Sequence, residues 1–105
     1  MAAKSKLELL SEIAAKDPKQ PFPRYGLAME LMGLGRHEES AEAFRALARD
    51  LPDYTPTYFQ AGKVMEKLDR LDEARDFYRR GIEAATRSGN HHAREEIEAA
   101  LSILG

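Results

Sequence analysis

Tyr25-Gly26-Leu27-Ala28, set over Phe59-Gln60-Ala61-Gly62, decides how this sequence folds, because the two stretches lie thirty-four residues apart and the match runs on beyond them. At the same shift Leu34 falls on Leu68, Arg36 on Arg70, Glu39 on Glu73 and Arg45 on Arg79. Glu38 falls on Asp72, Glu42 on Asp76, Ser40 on Ala74 and Phe44 on Tyr78, so size and polarity persist where identity does not. A fixed period of this length marks a stack of like units, each too small to bury its own apolar face. Shifted back by one step, Leu10 lies under Phe44, Ile13 under Leu47 and Pro18 under Pro52. The chain therefore divides into a half repeat over residues 1–20, a repeat over 21–54, another over 55–88 and a tail over 89–105.

Each unit reads as two helices. Ser5-Lys6-Leu7-Glu8 is a capping-box pattern that opens a first helix, and Asp17-Pro18 closes it. The next helix is expected from Pro23 or Arg24 to about Gly33 and Gly35, and its partner carries Glu38 and Glu39 in the first turn. Acids suit that end of the helix dipole. Leu51-Pro52 ends the partner, and Thr55-Pro56 reads as an N-cap followed by a first-turn proline. That helix runs to about Leu68, and Asp72 and Glu73 open the one after it. Ser88-Gly89-Asn90 breaks the chain, with Asn90 placed to cap a last helix through Leu104. Six helices joined by short turns result. All are α.

Composition agrees. Sixteen Ala and twelve Leu stand against one Val, four Ile and three Thr, a mixture that favours helix and starves a sheet. Sixteen Lys and Arg balance eighteen Asp and Glu, which argues against a general nucleic-acid binder. The absence of Cys removes disulfides, thiolate catalysis and Cys-ligated metals. Lys4, Lys6, Glu8 and Glu12 interrupt the N-terminal segment, and Glu30 interrupts the apolar stretch from Gly26 to Gly35. Neither an export signal nor a membrane span is expected, and a cytoplasmic protein is. Arg75, Arg79, Arg80 and Arg87 alternate with Asp76 and Glu83 at helical spacing, which reads as a solvated face rather than a basic patch.

The tail needs its own register. Continued unchanged, the repeat would set His92, Glu95 and Glu96 on core places. One residue inserted in the Ser88-Gly89-Asn90 turn puts Ala93, Ile97 and Ala100 there instead, with Leu104 extending the stripe. Residues 90–104 then form a capping helix with Arg94, Glu95 and Glu98 turned to water. The competing reading has Ile97 and Leu101 leaning into a groove or against a second copy.

These residues resemble the tetratricopeptide repeat family. Leu27, Ala28, Leu31, Gly35, Phe44 and Pro52 occupy its signature places in the first unit, as do Tyr58, Gly62, Ala74, Tyr78 and Gly81 in the second. Three residues depart from the pattern: Arg24 stands for a bulky aromatic, Leu47 for a small residue, and Thr86 for the closing proline. The resemblance implies an all-α, right-handed superhelical stack of antiparallel helix hairpins, an α-solenoid. It also implies that the first helices of successive hairpins line a concave face that holds an extended peptide or a partner helix. The lining places are Phe22, Tyr25, Met29 and Met32 in the first unit and Phe59, Lys63, Glu66 and Lys67 in the second. Aromatic and methionine side chains suit such a face by offering large, adaptable contact area. Alternatively, Tyr25 and Phe59 simply pack between helices. Family members that grip a C-terminal carboxylate carry Lys and Asn where Tyr25 and Met29 stand here, so an apolar anchor is expected instead.

No constellation points to catalysis. His91 and Glu95 offer two ligands one turn apart, whereas zinc takes three or four, so a solvated polar cluster at a helix start is the expectation for His91 and His92. His37 sits in a turn before an acidic helix start, a packing or surface position. Glu38-Glu39 and Glu95-Glu96 are adjacent and splay around their helices. Neither a nucleophile elbow nor a phosphate loop occurs. The expected protein is a non-catalytic interaction module with no cofactor and no metal, binding a protein or peptide partner and neither nucleic acid nor membrane. Self-assembly into a homodimer through the same apolar face or the tail helix is the alternative.

Overall fold

Local chemistry sets the helix boundaries. The computed structural model describes residues 3–105; residues 1–2, the start of the expected half repeat, lie outside it. It contains α1 (Lys6–Lys16), α2 (Pro21–Gly33), α3 (His37–Asp50), α4 (Pro56–Lys67), α5 (Leu71–Ser88) and α6 (His91–Leu104), with no strand among the described residues. Ser5 caps α1 by accepting from the Glu8 amide at 3.1 Å, and the Glu8 carboxylate reaches back to the Ser5 amide, completing the capping box. Asn90 caps α6 by accepting from the Ala93 amide at 3.1 Å.

Two starts differ from the sequence expectation. Helix α2 begins at Pro21, ahead of Pro23, since both prolines fall in the first turn where no backbone donor is required. Thr55 precedes α4 but its side chain caps nothing. Its backbone is already helical, at φ −55° and ψ −40°, so its hydroxyl does not turn back onto the first amides.

The hairpin turns repeat atom for atom. The Arg36 amide bonds the Leu31 carbonyl at 2.9 Å, and thirty-four residues later the Arg70 amide bonds the Met65 carbonyl at 2.8 Å. Each closure needs a left-handed residue, supplied by Gly35 at φ +77° and by Asp69 at φ +57°. At its far end, α3 stops before Leu51-Pro52. Thr86 stands at the equivalent place in α5 and keeps its amide, so α5 continues to Ser88 and ends at left-handed Gly89.

Each helix packs on its neighbours in sequence, and α2 also meets α4, so the chain is an all-α solenoid of helical hairpins, 49 × 28 × 20 Å. Phe44 and Tyr78, the large residues of the repeat, are fully buried. Gly62 admits the Tyr78 ring, and Gly81 admits Tyr58 from α4 and Ile97 from α6. Two ion pairs tie the hairpins together on the outside, Arg45 to Glu73 at 2.9 Å and Arg70 to Glu38 at 2.6 Å. At the last helix, Ile97 is buried, and Ala100, Leu101 and Leu104 pack against the core.

Candidate functional site

Helices α2 and α4 open their two hairpins and lie side by side, which brings Tyr25 and Phe59 onto one face. Tyr25 is half-buried, with its ring edge-on to Phe44 at 6.2 Å and to Tyr54 at 5.9 Å between centroids. Such pairs fix a ring's orientation and leave its remaining surface free. Phe59 leans on Tyr78 at 6.4 Å, and the Lys63 ammonium lies 5.2 Å from the Phe59 ring centre. The two rings share a cleft of about 190 Å³, walled by Pro56 and Gln60 from α4 and by His92, Ala93, Glu96 and Ile97 from α6. Burial pushes the Tyr25 phenol above its usual range; Tyr54 adds to this, Gln60 opposes it, and the Glu96 carboxylate raises it further. The hydroxyl at the cleft is therefore neutral near pH 7, able to donate and to accept.

A second depression, about 350 Å³, lies between α1 and α2, lined by Leu10, Phe22, Tyr25 and Met29 with Lys6 and Glu30 at its edge. Phe22 is 73% exposed there. Tyr25 belongs to both hollows, so they adjoin at its ring.

The eight sequence-predicted lining residues thus divide. Tyr25 and Phe59 meet in the cleft, while Phe22 and Met29 join Tyr25 in the neighbouring depression. Met32 packs against the core. Glu66 is half-buried and accepts the Tyr78 hydroxyl hydrogen bond; burial and that carboxylate together push the Tyr78 phenol up. Lys63 and Lys67 stand exposed on α4. The competing reading of the tail leans Ile97 and Leu101 into a groove; Ile97 is buried and also borders the cleft, and α6 adds His92, Ala93 and Glu96, which were not expected there. In the register that buries Ile97, one residue out of step with the repeat, Phe59 maps onto Arg94, so the thirty-four-residue step does not point to these residues.

Among the described residues, no three His, Asp or Glu side chains assemble as a metal site, and no helix is long and apolar enough to cross a membrane.

The stack of helix hairpins defines a helical-repeat protein. The family model described as tetratricopeptide repeat matches residues 55–87. The solution structure of a tetratricopeptide repeat domain protein from Salinibacter ruber is 38% identical, with a TM-score of 0.79, over 84% of this chain and 89% of that one. The crystal structure of the tetratricopeptide repeat domain protein from Salinibacter ruber gives 36% identity and a TM-score of 0.77, over 81% of this chain and 94% of that one. This chain belongs to the tetratricopeptide repeat family. PcrH, crystallised with the chaperone binding region of PopD, shares the fold at 17% identity and a TM-score of 0.85, over 93% of this chain and 74% of that one. No curated protein matches the chain in sequence. Members of the family are in general non-catalytic modules that mediate contacts between proteins.

Proposed function

We propose that this chain is a non-catalytic, cytoplasmic module that holds a peptide segment of another protein on the face formed by α2, α4 and α6. The observation that carries the reading is the cleft itself. Two aromatic rings from successive hairpins converge on a hollow of about 190 Å³ whose exposed surface is mostly apolar, with Thr55, Gln60, Asn90, His92 and Glu96 also lining it. Pockets that recognise a drug-sized ligand run to roughly 300 Å³ and above, so this one suits a single inserted side chain. Tyr25 and Phe59 act as the anchors, Phe22 and Met29 extend the apolar contact, and Lys63 and Lys67 add charge selection. The complex of PcrH with a region of PopD gives an example of this fold holding a segment of another protein.

The test is a display selection of random peptides on the wild type and on Tyr25→Ala/Phe59→Ala. Peptides enriched by the wild type should lose binding by tenfold or more on the double variant, about 1.4 kcal/mol, while its helical circular dichroism stays unchanged. Retained binding would contradict the reading.

A second reading is self-association, favoured by Ile103, which is 87% exposed near the end of α6. Light scattering over a wide concentration range decides it. A mass that stays at one chain throughout removes the dimer.

A further inference from the structure

The charges around the cleft carry the peptide reading one step further, to the kind of sequence it takes. Glu96 is the one carboxylate lining the cleft, and it sits exposed on α6 beside Tyr25, whose phenol feels its charge. Of the other acids on α2, α4 and α6, Glu66 meets the Tyr78 hydroxyl, Glu30 pairs with Lys6 at 3.4 Å and Glu98 with Arg94 at 2.7 Å, while Glu95 does not line the cleft. Among the described residues Glu96 makes no ion pair. Lys63 likewise has no carboxylate partner there and rests only against the Phe59 ring. An anion on α6 with no ion-pair partner thus lines the cleft that Phe59 borders, and a cation on α4 with none rests against the Phe59 ring outside the cleft lining.

From this juxtaposition, and resting on the proposed peptide-binding role, we infer that the cleft selects an extended peptide whose apolar anchor residue has a Lys or Arg beside it to meet Glu96. An acidic residue on the other side of the anchor meets Lys63. The anchor fills the hollow between Tyr25 and Phe59, and the opposed charges give the bound segment a direction. A peptide with an acid on the Glu96 side suffers like-charge repulsion and loses the pairing as well. Exposed pairs are individually modest, so the charge reads out as preference among apolar-anchored peptides rather than as binding or none.

The test repeats the random-peptide selection with Glu96→Lys. This substitution sits on an exposed helical position without partners, and its circular dichroism checks that the fold is kept. The wild type should enrich Lys or Arg next to an aromatic or aliphatic anchor. For one enriched sequence, changing that cation to Glu should weaken binding by about fivefold at low salt. With Glu96→Lys the preference should reverse toward Asp or Glu. Apolar anchors without charge bias, or a cationic bias that survives Glu96→Lys, would overturn the inference and leave the peptide groove standing. No enriched sequence at all, or enriched sequences that bind Tyr25→Ala/Phe59→Ala equally well, would overturn both.

Discussion

In the second hairpin Tyr58 of α4 lies against Gly81 of α5, where an added Cβ would stand 2.6 Å from the tyrosine Cβ; at the equivalent places the first hairpin has Arg24 and Leu47. There the volume comes from the other side. Leu47 is fully buried, and the Arg24 guanidinium is held by Asp50 at 2.9 Å and the Pro18 carbonyl at 3.0 Å. The neighbouring layer differs in the same sense. Gly62 faces Tyr78 in the second hairpin, whereas Ala28 and Phe44 hold those places in the first. Ser40 gives the first hairpin a buried hydrogen bond to the Ala28 carbonyl at 2.8 Å, and Ala74 in the second has no hydroxyl to offer. What the repeat keeps is a filled space between facing helices, not the size or polarity of either residue, because close-packed interiors penalise gaps and overlaps alike. Arg24 and Leu47, two of the three departures from the family pattern, face one another across the helix pair.

That comparison can be broken most sharply at Gly62. A Cβ there would lie 2.1 Å from the Tyr78 ring, so Gly62→Ala should lower unfolding stability by about 3 kcal/mol despite its gain in helix propensity. Ala28 already carries that carbon in the first hairpin. A denaturant midpoint equal to the wild type would show that the second hairpin does not need its glycine.

Making the first hairpin resemble the second gives a smaller effect. Leu47→Gly alone leaves a cavity, and Arg24→Tyr alone meets Leu47. Combined, the two should cost less than the sum of the single changes, by about 1–2 kcal/mol. Strict additivity in a double-mutant cycle would show that these positions do not share space.

The smallest difference lies in the turns. Asp69 holds at φ +57° the left-handed place that Gly35 fills, so Asp69→Gly should raise stability by about 0.5 kcal/mol and Gly35→Asp should lower it by a similar amount. Thermal melts of the two variants check both signs.

The fold was legible because it is written locally and written twice. The Ser5 box, the Asn90 cap and the thirty-four-residue step each specify backbone without help from distant residues. Thr55 misled because capping depends on the backbone angle of the residue before the helix, and its sequence neighbours do not fix that angle. Tyr25 and Phe59 were legible as a facing pair for the same reason as the fold, through the repeat. The polar share of α6, His92 and Glu96, was not. Whether Glu96 looks to water or toward Tyr25 depends on how α6 sits on α5 once Ile97 enters the space left by Gly81, a tertiary outcome. Glu66 shows the converse: a lining place by register, it is taken up by the hydroxyl of Tyr78 beneath it.

The most direct test of the peptide groove is an amide-shift titration by nuclear magnetic resonance, with a selected peptide added to the isotopically labelled wild type. Shift changes should concentrate at Tyr25, Phe59, Gln60, Ala93 and Glu96, leaving the outer faces of α3 and α5 quiet. Changes confined to those outer faces, with the cleft silent at saturation, would contradict the account.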